Sequence, residues 1–165
     1  HLEAAITLVE NGAQVDKRVG QSFDNTALYF ACQSGCADLV ALLLENGAQV
    51  NLYNATGESP LHRASSAEIC SLLLEKHADV KTKDDRGRTP LHFAAANATQ
   101  SSHVMQLIEA GSDVNAQTTH QSRTPLEYAI LAQRVDNLKA LIRKGAAFLD
   151  RVDPPTQWPL VHLIV

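Results

Sequence analysis

The sequence predicts an all-α solenoid of stacked helix–turn–helix units with short β-hairpin tips, and three observations carry that prediction. The motif Pro-Leu-His-x-Ala occurs twice, at Pro60-Leu61-His62-Arg63-Ala64 and Pro90-Leu91-His92-Phe93-Ala94, with echoes at Thr26-Ala27-Leu28-Tyr29, Thr124-Pro125-Leu126-Glu127 and Trp158-Pro159-Leu160. The successive intervals from Ala27 through Pro60, Pro90 and Pro125 to Pro159 are 33, 30, 35 and 34 residues. A second signature, an apolar pair followed three residues later by a stop residue, ends each unit in step with the first. Two short helices cannot bury both of their faces alone, so units repeated at this period gain stability by stacking on their neighbours.

The elements follow in order. Residues 1–20 form a half unit, whose signature Leu8-Val9-Glu10-Asn11-Gly12-Ala13 closes a helix on a left-handed Gly. Unit 21–53 starts at Thr26-Ala27 and ends at Leu43-Leu44-Glu45-Asn46-Gly47-Ala48. Leu39, Val40, Leu42, Leu43 and Leu44 give its second helix a broad apolar face that packs on more than one side.

Unit 54–83 starts at Ser59-Pro60, where the hydroxyl caps a free N–H and Pro has no N–H to waste. Its stop is His77 instead of Gly, which predicts a left-handed non-Gly residue at a cost of about 1 kcal/mol. Unit 84–118 runs from Thr89-Pro90 to Leu107-Ile108-Glu109-Ala110-Gly111-Ser112, and unit 119–152 from Thr124-Pro125 to Leu141-Ile142-Arg143-Lys144-Gly145-Ala146. Residues 153–165 read as the first helix of a truncated unit. Apolar residues near both ends, among them Ala4, Leu8, Trp158 and Ile164, predict further repeats or other domains beyond the chain.

Two units depart from the average. Pro60 to His77 spans 17 residues against 20 for Ala27 to Gly47, and the loss falls at Ser65-Ser66; Pro90 to Gly111 spans 21, with the extra residue between Ala98 and Ser102. Three residues are nearly one helical turn, so the apolar face stays in register to within about 60°. A shortened turn beside a lengthened one predicts a notch on one face of the solenoid.

These signatures resemble those of the ankyrin-repeat family over essentially all 165 residues, and Asp85-Arg86-Gly87-Arg88-Thr89-Pro90-Leu91-His92-Phe93-Ala94-Ala95 is the nearest match to its pattern. The resemblance implies recognition of a protein or peptide partner on the concave face, as a scaffold, adaptor or substrate receptor without catalysis or cofactor. It also implies that His62 and His92 hold the turns by hydrogen bonds. Residue types that dominate interfaces occupy the tips, namely Phe23, Tyr53, Arg86, Arg88, His120 and Arg123. Gln33, Ser34, Ser65, Ser66, Asn97 and Leu131 are expected to line the groove floor. Asn51 and Asn115, each eight residues after a Leu (Leu43 and Leu107), resemble the positions that an asparaginyl hydroxylase modifies in many ankyrin repeats. The alternative is a regulatory or targeting segment of a larger enzyme or channel.

Composition bounds the rest. Fourteen basic against eighteen acidic residues give a formal charge of −4, and the five tip segments hold seven of each sign, so there is no stripe to track phosphates. The longest apolar run, Leu39 to Leu44, is far too short to span a bilayer. His-Glu-x-x-His, phosphate-loop and Gly-x-Ser-x-Gly motifs are absent from the sequence. Cys32, Cys36 and Cys70 are odd in number, which favours a reducing cytoplasmic or nuclear setting, and they read as packing residues rather than metal ligands. The glycosylation-type triplets Asn54-Ala55-Thr56 and Asn97-Ala98-Thr99 read as chance occurrences.

Overall fold

A computed structural model describes residues 2–18, 24–97 and 101–147. Two kinds of helix alternate along them. The first helices are α2 (Ala27–Ser34), α5 (Pro90–Asn97) and α7 (Pro125–Leu131), with a single 3-10 turn, Pro60–Arg63, standing in the same place in the shortened unit. The second helices are α1 (Leu2–Glu10), α3 (Ala37–Glu45), α4 (Ala67–Glu75), α6 (Ser101–Glu109) and α8 (Val135–Arg143). First helices pack on first helices and second on second: α2 on the 3-10 turn, that turn on α5, α5 on α7, and α3, α4, α6 and α8 in succession. This is the all-α solenoid that the repeat period predicts.

The start signals act as their chemistry requires. Thr26 Oγ1 accepts the Tyr29 N–H at 3.3 Å, and Thr124 forms a reciprocal box with Glu127, whose Oε2 accepts the Thr124 N–H at 2.7 Å. In the shortened unit Ser59 makes the corresponding box with His62. The stop signals are equally regular. Gly47, Gly111 and Gly145 have φ of 85°, 95° and 86°, and His77 takes φ 61° as the lone non-Gly stop in this set. The residue after each stop returns its N–H to the second-helix Leu five residues earlier: Ala48 to Leu43, Ala78 to Leu73, Ser112 to Leu107 and Ala146 to Leu141, all at 3.0 Å.

Two leucine ladders form the core. Leu28, Leu61, Leu91 and Leu126 repeat at one position of the first helices, and Leu43, Leu73, Leu107 and Leu141 at one position of the second, each at most 3% exposed. Each buried Leu contributes roughly 2 kcal/mol through area removed from water. The ladder passes through the shortened unit unbroken, because the missing residues come from the end of its first helix. Ala64, with ψ 112°, leaves the helical conformation after one turn, and Ser66 caps α4 by accepting the Ile69 N–H at 3.2 Å.

The tips close by single backbone bonds and form no regular strand among the described residues. Asn54 N donates to Glu58 O, Asp84 N to Arg88 O, and Thr118 N to Arg123 O, each at 3.0 Å. Consecutive tips are then stitched by Asp85 N to Thr56 O at 3.0 Å and Thr119 N to Arg86 O at 2.9 Å. Gly87 is required here: its φ is 74°, and a Cβ would lie 2.8 Å from the Thr119 nitrogen.

Candidate functional site: a groove across three repeats

In α2, the 3-10 turn and α5 the third residue, Tyr29, His62 or His92, ties the element to the next tip. His62 Nδ1 accepts the Ser59 N–H at 3.0 Å, which places the ring proton on Nε2, where it is donated to the Arg88 carbonyl at 3.1 Å. His92 repeats this between the Thr89 N–H and the Arg123 carbonyl, both at 3.0 Å. Burial lowers the pKa of both rings, that of His92 to about 4, so they stay neutral as this role demands. The hydrogen bonds to the turn that the family resemblance implies are thus present.

In the preceding unit Tyr29 holds the same position, and the connection changes. Its hydroxyl donates to Glu58 Oε2 at 2.5 Å and accepts Arg63 Nε at 2.8 Å. Burial, then the Glu58 bond, push the Tyr29 pKa up to about 12. Glu58 is 4% exposed, and its carboxylate also receives Arg63 Nη2 at 2.9 Å and Arg88 Nη2 at 3.2 Å. Arg88 Nε in turn donates to Asp84 Oδ2 at 2.6 Å. The Phe93 ring supports both cations, with the Arg63 guanidinium carbon 5.2 Å and the Arg88 carbon 4.4 Å from its centroid. The result is a buried charge cluster built from three successive repeats.

Beside it opens a cavity of about 580 Å³ lined by side chains of all three repeats, from Asn25 and Gln33 through Glu58 and Arg63 to Arg86 and Arg88. A smaller cleft of about 160 Å³ continues along the first helices, with Ala64, Ser65, Phe93 and Asn97 in its walls. Gln33 and Arg63 line both, so the two form one groove. The cleft sits where the shortened unit has lost the end of its first helix, the place at which a notch is expected.

Of the sequence-predicted site residues, Arg86 and Arg88 line the cavity, Ser65 and Asn97 the cleft, and Gln33 both. Ser65 also donates to the Cys32 carbonyl at 3.0 Å. Ser34 bonds back to the Ala31 carbonyl at 3.0 Å, and Ser66 is occupied as a helix cap; neither lines the groove. Tyr53 and Leu131, 59% and 55% exposed, stand outside both cavities, as does the exposed His120. Arg123 serves through its backbone, donating to Thr118 Oγ1 at 2.9 Å and accepting from His92. Phe23 lies outside the described residues.

Sequence reasoning passed over Tyr29, Glu58, Arg63 and Phe93. Their signal lies in the repeat register: Tyr29 falls on the His position, and Arg63 and Phe93 are the variable residue of Pro-Leu-His-x-Ala.

Asn51 and Asn115 play matched roles, each bridging to the stop segment of the following unit. Asn51 Oδ1 accepts the Asp79 N–H at 2.9 Å and its Nδ2 donates to the His77 carbonyl at 3.2 Å. Asn115 accepts the Ala147 N–H at 2.8 Å and donates to the Gly145 carbonyl at 3.5 Å. Both are exposed. Asn54, by contrast, is buried, with Oδ1 accepting the Thr56 and Glu58 N–H groups at 3.0 Å, so the first glycosylation-type triplet is structural. Cys32 and Cys70 are buried thiols that burial pushes up to about 12. Among the described residues no three His, Cys, Asp or Glu side chains group to hold a metal ion, and no helix is long and apolar enough to cross a membrane.

Comparison with known proteins agrees with this architecture. The family model for ankyrin repeats (3 copies) matches residues 1–84 and 66–152. The chain is 27% identical to a transient receptor potential cation channel subfamily A member 1 homolog of Caenorhabditis elegans over 135 residues, 80% of this chain and 11% of the channel protein. It is 39% identical to ankyrin repeat and SOCS box protein 16 of Homo sapiens over 67 residues, 41% of this chain and 14% of that protein. The chain therefore aligns with only a small part of either relative.

Proposed function

The chain belongs to the ankyrin-repeat family, and from that premise we propose that it recognises a protein or peptide partner on its concave face, as a scaffold, adaptor or substrate receptor with no catalysis of its own. One observation carries the reading. The two cavities join through Gln33 and Arg63 into a groove that crosses three repeats, and five residues expected at the interface line it. The face of the second helices carries exposed charges such as Glu45, Glu75, Lys139 and Arg143 and takes no part.

Capture from cell lysate at physiological salt tests the reading, with the parent chain beside Ser65→Arg plus Asn97→Arg, which fills the groove, and Glu45→Arg plus Lys139→Glu, which alters only the outer face. A partner retained by the parent and the outer-face variant and lost from the groove variant supports it. Equal retention by all three argues against it.

The match of 80% of this chain to a short stretch of the channel protein favours a second reading, in which the repeats are a regulatory or targeting segment of a larger protein. In either case a cytoplasmic or nuclear setting is proposed, and Asn51 and Asn115 are proposed as substrates of an asparaginyl hydroxylase. Their exposure supports that assignment.

A further inference from the structure

The charge that the cluster contains differs from the charge that it shows. Glu58 and Asp84 formally cancel Arg63 and Arg88, yet the carboxylate side chains are 5% and 1% exposed and the guanidinium side chains 32% and 20%. The cations are the more exposed partners of each pair. Every hydrogen bond that Arg63 and Arg88 donate from their side chains leaves through Nε or Nη2, so Nη1 of each has no acceptor among the described residues. Arg86, which also lines the cavity, is exposed and makes no side-chain bond among the described residues. The formal charges around the cavity that are at least partly exposed are thus three guanidiniums, of which Arg63 and Arg88 are half-buried, against one carboxylate, Asp85.

We infer that this cavity receives the carboxylate of an acidic side chain, Asp or Glu, from an extended partner peptide, held by Arg63, Arg88 and Arg86. The inference rests on the concave-face reading and gives that reading a chemistry. Arg63 and Arg88 are fixed beforehand by Glu58, Asp84 and the Phe93 ring, so a carboxylate meets planar donors that lose little freedom on binding. Charge-assisted bonds to such donors are about twice as strong as neutral ones. The adjoining cleft has Ala64, Ala94 and Phe93 in its lining beside the polar Ser65 and Asn97, and it takes a neighbouring side chain of the same peptide. A basic side chain in the cavity would meet three cations, with Glu58 and Asp84 already paired to two of them and Asp85 the one exposed carboxylate on the lining.

The test uses pools of short peptides, acetylated and amidated so that their termini carry no charge, each with Glu, Lys or Ala fixed at one position and the rest randomised. Binding to the parent chain is read by fluorescence polarisation. The Glu pools are expected to bind roughly tenfold tighter than the Lys pools at one fixed position, with the margin shrinking as salt rises. Arg86→Glu, an exposed change that leaves the cluster intact, removes that margin; Arg63→Gln does the same in protein shown by its melting curve to be folded. Binding without a Glu preference that is nevertheless lost on Gln33→Arg overturns the carboxylate site and leaves the groove as the binding face. Binding that survives Gln33→Arg counts against both. Absence of binding in every pool overturns the carboxylate site, while the lysate capture still tests the groove.

Discussion

The Tyr29 hydroxyl donates a 2.5 Å hydrogen bond to Glu58 across the boundary between two repeats, at the position where His62 and His92 reach a backbone carbonyl. A neutral imidazole joins two repeats through the main chain, whereas the phenol joins them through a buried carboxylate that also neutralises two arginines. Glu58→Ala should therefore cost roughly 3 kcal/mol, because it leaves two partly buried guanidiniums short of an acceptor. Tyr29→Phe should cost about 1 kcal/mol. Urea midpoints check the order; equal midpoints for the two variants would remove Glu58 from the centre of the cluster.

Acid should destabilise the chain through its buried histidines. Burial lowers the pKa of His92 and His103 to about 4 from 6.5 and lowers that of His62 as well. The unfolded chain then takes up protons below pH 6.5 that the folded chain refuses, so stability is complete above that value and falls as pH drops towards 4. Each shift of this size corresponds to on the order of 3 kcal/mol. His103 is 3% exposed and neither ring nitrogen has a partner, so His103→Leu should keep full stability at pH 7 and flatten the slope between pH 6.5 and 4. Urea melts at several pH values decide this, and an unchanged slope would rule His103 out.

Much of this architecture was legible from spacing. The Thr and Ser starts and the stops depend on contacts whose register is set by the repeat period and were placed by it, and the leucines of both ladders fall inside the two signatures that the period spaces. The deletion at Ser65-Ser66 was legible too, though only the structure reveals that one 3-10 turn replaces the helix. The charge cluster was not. Tyr29, Glu58, Arg63 and Arg88 come from three repeats, and their pairing depends on side-chain reach, which no single-unit pattern encodes. Ser34 and Ser66 stand outside both cavities for a related reason: a hydroxyl at a helix end bonds the backbone locally.

His77 supplies a stability test with the opposite sign. It holds φ 61° where the other second helices end on Gly. His77→Gly should raise stability by about 1 kcal/mol, since Gly occupies this region without steric cost. An unchanged or lower urea midpoint would show that the ring makes a compensating contact.

For Asn51 and Asn115, mass spectrometry of the chain from cells rich in an asparaginyl hydroxylase should find a gain of one oxygen on either residue. Unmodified protein from such cells would contradict the assignment. Asn51→Ala should cost about 1 kcal/mol regardless, because Oδ1 accepts the Asp79 N–H.

Partner contact through the concave face is tested most directly by site-specific photocrosslinking in cells. A photoreactive residue is placed in turn at Gln33 and Asn97 in the groove, and at Glu45 and Lys139 on the outer face. A discrete crosslinked protein is expected from the two groove positions and none from the outer pair. The same protein crosslinked from Glu45 or Lys139, with nothing from Gln33 or Asn97, would contradict it.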